Sequence, residues 1–166
     1  MENVVIRPLV PSDWSIVANI YKSGIDTNNA TFETQIPSWE NWDNSHLKFA
    51  RIVALIKNQL VGWAALSPVS NRCVYGGVAE ISVYVDEKHR SIGIGKALLE
   101  NLIPLSEENG IWTLQAGIFR ENISSIKLHE SAGFRIVGYR EKIGKLNGKW
   151  IDTYLLEKRS PTLGLD

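Results

Sequence analysis

Residues 78–99 read Val78-Ala-Glu-Ile-Ser-Val-Tyr-Val-Asp-Glu-Lys-His-Arg-Ser-Ile-Gly-Ile-Gly-Lys-Ala-Leu-Leu99. The apolar run Val78–Val85 has strand length, Asp86–His89 is a polar turn, and Arg90–Lys96 spaces two glycines before an amphipathic helix. A helix N-terminus presents unpaired backbone N–H groups and a partial positive charge, so it can hold phosphate oxygens. Glu80 stands on the strand that delivers the chain to this loop. A phosphate cradle beside a carboxylate outlines a group-transfer site.

Around this stretch the chain has 166 residues, which predicts one domain with a sizeable core. Its 18 basic and 18 acidic side chains balance, so charge gives no case for nucleic acid or an anionic membrane as partner. No apolar run approaches the roughly 20 residues that span a bilayer. The first ten residues read as an opening strand and not as a signal peptide. One cysteine, Cys73, precludes an intrachain disulfide and fits a reducing, cytoplasmic setting. With three histidines it supplies no zinc-like ligand cluster, so no metal is expected.

Outward from the central stretch, the periodicity predicts a strand at 4–6, a helix at 13–22 capped by Ser12, and an irregular loop at 24–35. Pro37-Ser38 opens a second helix at 39–49, followed by strands at 51–56 and 60–66. After a loop at 68–77 come the strand 78–85 and the helix 94–108, which Pro104 is expected to kink. A strand at 112–118 and a helix at 122–131 closed by Gly133 follow. The last hairpin, 135–145 and 149–156, turns on Asn147-Gly148. The order predicts a mixed α/β domain with a largely antiparallel N-terminal half. Arg-x-x-Gly-x-Gly fits neither the dinucleotide fingerprint, which needs a third glycine and an early parallel βαβ unit, nor the Gly-Lys-Ser/Thr phosphate loop.

The segment 82–99 resembles the acetyl-CoA motif of the GNAT N-acetyltransferase superfamily, and 122–134 (Asn-Ile-Ser-Ser-Ile-Lys-Leu-His-Glu-Ser-Ala-Gly-Phe) resembles its second cofactor segment. Within the superfamily, Tyr75 before 79–85, Leu128-His129-Glu130 and the ending 148–156 resemble the phosphinothricin and methionine sulfone or sulfoximine acetyltransferases. The resemblance implies a mostly antiparallel sheet of about seven strands, splayed at a cofactor cleft and flanked by helices. It implies acetyl-CoA as donor, a small amine or amino-acid analogue as acceptor, direct transfer in a ternary complex, and a homodimer.

In the family's terms, backbone from Val83, Tyr84 and Val85 meets the thioester and the pantetheine arm as a surrogate strand pairs with an edge. The loop Arg90, Ser91, Ile92, Gly93, Ile94, Gly95 and Lys96 takes the pyrophosphate. Asn122 is either a plain N-cap or a hydrogen-bond partner of the pantetheine, the family's use of this position; Ser125 and Ser131 are further cofactor candidates. An amine with a pKa of about 8 to 10 is mostly charged at neutral pH, so a base is useful, and Glu80 suits it directly or through water. A pure charge-orienting role for Glu80 stays open. His129 stands where many members carry tyrosine, and it is either a proton donor to the leaving sulfur or a structural ring bonded to a helix carbonyl.

For an acceptor with a carboxylate and an oxygen-rich side chain, Arg72 and Tyr75 resemble the family's Arg-x-x-Tyr element, although a plain surface arginine is the alternative. Phe32, Glu33, Ile81, Ser82, Lys149, Asp152 and Thr153 are the other acceptor candidates. Trp150 belongs either to that pocket or to the core. Other amines and a non-catalytic CoA-binding module remain alternatives.

Overall fold

A computed structural model describes residues 3–166 of the chain. Seven strands form one sheet in the spatial order β1-β2-β3-β4-β5-β7-β6. They are β1 (Val4–Pro8), β2 (Ile52–Ile56), β3 (Gln59–Pro68), β4 (Val78–Val85), β5 (Thr113–Phe119), β6 (Arg135–Leu146) and β7 (Lys149–Arg159). Every neighbouring pair is antiparallel except β4 and β5, which run parallel. Four helices, α1 (Trp14–Asp26), α2 (Trp39–Ser45), α3 (Ile94–Glu108) and α4 (Ile123–Ser131), cover the sheet. This is the expected mixed, mostly antiparallel seven-stranded architecture.

The near-continuous apolar run of β3 follows from burial on both faces. On one face Val61, Ala64 and Leu66 join Leu98, Leu99 and Leu102 of α3 and Ile126 of α4. On the other, Leu60, Trp63 and Ala65 join Val17, Ile20 and Tyr21 of α1 and Trp42 of α2. Four of the six tryptophans belong to this second layer: Trp14 lies 5.7 Å from Trp39 and 5.5 Å from Trp42, which meets Trp63 edge-on at 5.6 Å. Trp150 instead is 52% exposed, with the Lys145 ammonium 4.7 Å from its ring centre, so it is not core.

Several element boundaries differ from the sequence expectation, each for a local reason. Ser12 does not cap α1. It lies in a 3-10 turn over Pro11–Asp13. The Asp13 carboxylate organises that entry instead, accepting the Val10 N–H at 2.9 Å and pairing with Arg7 at 2.7 and 2.8 Å. α1 then runs on to Asp26, past the expected end. Ser38 does cap α2, accepting the Asn41 N–H at 3.2 Å, but that helix stops at Ser45 instead of 49. There His46 turns extended and the Leu47 amide donates to the Leu66 carbonyl of β3 at 2.8 Å. Pro104 lies inside α3 without ending it, because the carbonyl it leaves unpaired belongs to exposed Glu100.

Candidate active site

The parallel pairing of β4 and β5 is short: Val78 faces Thr113, Ala79 faces Leu114 and Glu80 faces Gln115, and there it ends. Beyond Glu80, β4 keeps only β3 as a neighbour and β5 keeps only β7. The strands therefore diverge in a V, and backbone from Ile81 to Val85 has a free edge. The closed end is tied by the Gly77 carbonyl, which accepts the amides of Trp112 at 2.8 Å and Thr113 at 3.1 Å. A Cβ on Gly77 would stand 2.0 Å from the Trp112 ring, so only glycine permits this closure.

Alternation along β4 sorts its side chains between the two layers. Ile81, Val83 and Val85 pack toward α3, whereas Glu80, Ser82 and Tyr84 face the side of α1 and α2. Tyr84 stacks on Trp63 at 4.9 Å and meets Tyr21 at 4.9 Å, and burial pushes its phenol well above the ordinary value. Its side chain thus serves packing, leaving its backbone to the cleft. Glu80 is exposed at the vertex, with Gln115 Nε2 donating to one carboxylate oxygen at 3.4 Å.

The open V leads into a cavity of about 1110 Å³. One end is walled by Arg90, Ser91, Gly93, Ile94, Gly95 and Lys96. Ser91 and Gly93 adopt positive φ values of 63° and 93°, and the first internal helical bond of α3 is Ala97 N–H to the Gly93 carbonyl at 3.0 Å. The amides of Ile94, Gly95 and Lys96 are therefore left without helical acceptors at the cavity wall. A Cβ on Gly93 would touch nothing, so its glycine answers to the positive φ alone. Ile92 does not line the cavity; its side chain is 56% exposed.

Asn122, Ser125 and His129 of the α4 segment form the adjoining wall. Asn122 uses Oδ1 to accept the Ser125 amide at 3.3 Å, so it is an N-cap whose Nδ2 donors remain for another partner. His129 is 5% exposed, its Nδ1 lies 2.8 Å from the Ser125 carbonyl, and burial lowers its pKa. A carbonyl only accepts, so Nδ1 carries the proton and Nε2 a lone pair. Of the two roles open to His129, this geometry has the helix-carbonyl bond, and the neutral ring offers no Nε2 proton to a leaving group. Ser131 is absent from the wall because its hydroxyl donates back to the Leu128 carbonyl at 2.6 Å.

The opposite wall comes from the α1–α2 layer and from β7 and β6. Phe32 and Glu33 line it, with Phe32 4.7 Å from Phe119 and over Gly144; Ser82 and Thr153 also face it. Tyr21, Thr31, Asn41, Ser45, His46 and Arg140 belong to this wall as well, none of them singled out by sequence pattern. Four expected acceptor residues stand elsewhere. Arg72 and Tyr75 lie outside the wall, exposed, with the guanidinium 5.6 Å from the Tyr75 ring, because their loop continues beyond the closed end of the V. Lys149 and Asp152 border a separate depression of about 580 Å³. Asp152 is occupied there: it accepts from the Tyr139 hydroxyl and from the Lys142 amide at 2.7 Å, holding the irregularity between Arg140 and Gly144 of β6. These bonds, Tyr139 foremost, keep its carboxyl below the usual range.

A splayed β4–β5 pair with a glycine-opened helix N-terminus defines an acyl-CoA-type transferase fold. Residues 20–155 match the family described as acetyltransferase (GNAT) domain, and the chain belongs to that family. It is similar to a phosphinothricin N-acetyltransferase of Streptomyces viridochromogenes, 29% identical over 90% of this chain and 84% of that protein. Among solved structures, a ribosomal-protein-alanine N-acetyltransferase from Brucella melitensis superposes with a TM-score of 0.87 at 30% identity, covering 94% of this chain and 99% of that one. A phosphinothricin acetyltransferase from Sinorhizobium meliloti, solved in complex with acetyl-CoA, gives 0.85 at 27% identity over 98% and 96%. The chain is an acetyl-CoA-dependent acetyltransferase.

Proposed function

We propose that the protein transfers acetyl from acetyl-CoA to the α-amine of a small amino-acid-like acceptor of the phosphinothricin type, by direct transfer in a ternary complex. The observation that carries this reading is Glu80, an exposed carboxylate at the vertex of the V, where the cofactor end and the acceptor wall of the cavity meet. The likeness to phosphinothricin acetyltransferases supports the acceptor class. Methionine sulfoximine and sulfone share the tetrahedral, oxygen-bearing centre of the phosphinate and belong to the same class.

Acetyl-CoA supplies an activated thioester: the nitrogen of the neutral acceptor amine bonds to its carbonyl carbon, the C–S bond breaks, and the nitrogen gives one proton to solvent as the amide forms. The acceptor ammonium must first lose another proton to become that amine. Glu80 takes that proton, directly or through a water. Free backbone N–H groups between Val83 and Val85 receive the charge that develops on the carbonyl oxygen. The amides from Ile94 to Lys96 and the loop from Arg90 hold the pyrophosphate, and Asn122 donates from Nδ2 to the pantetheine arm. A thiol with a pKa near ~8.5 regains its proton from solvent at neutral pH. His129, bonded within α4 and edge-on to Phe134 at 5.1 Å, has a packing role.

Two copies pair through the β6–β7 hairpin in this reading, since Ile136, Val137, Tyr139, Ile143 and Trp150 are 43–52% exposed there. A cytoplasmic location fits the exposed free thiol of Cys73. The test is CoA-thiol release with phosphinothricin, methionine sulfoximine, methionine sulfone, an alanine-terminated peptide and polyamines. Turnover of the three amino-acid analogues is expected. Turnover confined to polyamines or to the peptide overturns the acceptor class, and a light-scattering mass of 18.6 kDa instead of twice that overturns the pairing.

A further inference from the structure

His46 lines the cavity from the acceptor side and has no role in the chemistry above. Its Nδ1 lies 2.7 Å from the Trp42 carbonyl and 3.0 Å from the Ser45 hydroxyl. The Ser45 hydroxyl itself donates to that same carbonyl at 3.0 Å. Two acceptors would repel at 2.7 Å, so Nδ1 carries the proton. Burial holds the ring neutral by lowering its pKa, with Arg51 adding to the effect and Asp43 opposing it. A neutral ring protonated at Nδ1 has a lone pair at Nε2. No hydrogen bond to Nε2 occurs among the described residues.

The ring is also held in place. It stacks on Trp42 at 4.2 Å and 21°. Arg51 clamps the backbone around it, donating to the carbonyls of Asp43 at 2.9 Å and His46 at 3.0 Å. The Leu47 amide ties the segment to Leu66 of β3. Leu66 faces Ile81 and Ser67 faces Glu80 across the next strand boundary, so His46 lies about two strand spacings, roughly 10 Å, from the Glu80 backbone. Trp42, Trp63, Tyr84, Ser82 and Glu80 share one face of the sheet, which puts the imidazole and the carboxylate in one chamber.

We propose that His46 is an acceptor-binding residue of the chamber, its Nε2 accepting one N–H of the incoming ammonium group while Glu80 accepts another. The nitrogen is then held at two points, which fixes its place in the chamber. This assignment rests on the acetyltransfer reading given above. The competing role is purely local, with His46 as the C-cap of α2 and Nδ1 satisfying the Trp42 carbonyl.

Two substitutions separate the roles. His46→Asn places an amide donor near the Nδ1 position and removes the acceptor at Nε2; His46→Gln restores an acceptor near Nε2. With L-methionine sulfone as acceptor, His46→Asn is expected to raise the acceptor KM about 10-fold or more, the cost of a hydrogen bond to a charged group. The acetyl-CoA KM and the thermal midpoint stay at the wild-type values, and His46→Gln recovers most of the acceptor KM. An acceptor KM within twofold of wild type in His46→Asn overturns the assignment. So does a lowered thermal midpoint with no recovery in His46→Gln, which would leave the cap as the ring's role. Wild-type enzyme that turns over no amine of the panel brings down the acetyltransfer reading, and this assignment with it; normal wild-type turnover with an unchanged His46→Asn brings down His46 alone.

Discussion

The two walls of the cavity are built in different ways. The cofactor wall is nearly continuous in sequence: β4, the loop from Arg90 and the first turn of α3 follow one another, and α4 adds one short segment. It presents mainly backbone N–H groups, so its signature is conformational, in glycines and a strand-to-helix order. The acceptor wall gathers Tyr21 from α1, His46 beyond α2, Glu80 and Ser82 from β4, and Arg140 and Thr153 from the last hairpin. It presents side chains that no spacing rule connects. A phosphate group is recognised by local geometry, whereas a small acceptor is recognised by whatever the tertiary fold brings beside it.

The largest expected effect lies where the walls meet. Glu80→Gln should lower kcat/KM about 10²- to 10⁴-fold while the acetyl-CoA KM stays near wild type, measured by thiol release. A wild-type rate would limit Glu80 to orienting charge. The closure of the V is tested by Gly77→Ala, whose Cβ meets the Trp112 ring at 2.0 Å. A loss of about 1–3 kcal/mol in denaturant unfolding is expected, the usual cost of overpacking. No change in stability would mean that Trp112 moves aside freely.

On the cofactor wall, Gly93→Val forces a β-branched residue to φ 93°. Strain of about 1–3 kcal/mol is expected, with an acetyl-CoA KM raised several-fold and an acceptor KM little altered. Equal changes in both constants would break the separation of the walls. A pH series probes both walls together. His46 and His129 have pKa values lowered by burial, so the unfolded chain binds protons first as pH falls below about 6.5. Their contribution to stability is complete above that value and declines as pH falls toward the folded pKa values. The thermal midpoint should drop as pH falls below about 6.5, and less steeply in His129→Asn. The smallest effect belongs to Ser131→Ala, expected within about 0.5 kcal/mol of wild type and with unchanged acetyl-CoA KM, because that hydroxyl only bonds back into its own helix.

The sequence expectation and the structure agree most closely in the central stretch: β4 spans Val78–Val85 and α3 spans Ile94–Glu108, as the pattern predicts. The tight turn at Asn147-Gly148 is also legible, both residues having positive φ. Agreement fails where a distant residue decides. Asp13 was indistinguishable from an ordinary first-turn acid until Arg7 came beside it. The end of α2 depends on a β3 carbonyl that captures the Leu47 amide. Arg72 fits an arginine fork for an acidic acceptor by type, and its loop carries it away from the cavity. Asp152 has the right chemistry for a pocket, but the bulge in β6 uses it.

By itself the sequence determined the order of strands and helices, the glycine-opened phosphate loop and the carboxylate on the strand before it. Those features depend on neighbours along the chain, where periodicity and φ preference act directly. Only the tertiary structure decided how far β4 and β5 stay paired, which side chains share the acceptor chamber, and that the Leu47 amide meets the Leu66 carbonyl of β3. Those outcomes depend on backbone carbonyls and packed rings brought together by folding, and hydrophobic pattern carries no record of where a single carbonyl will point.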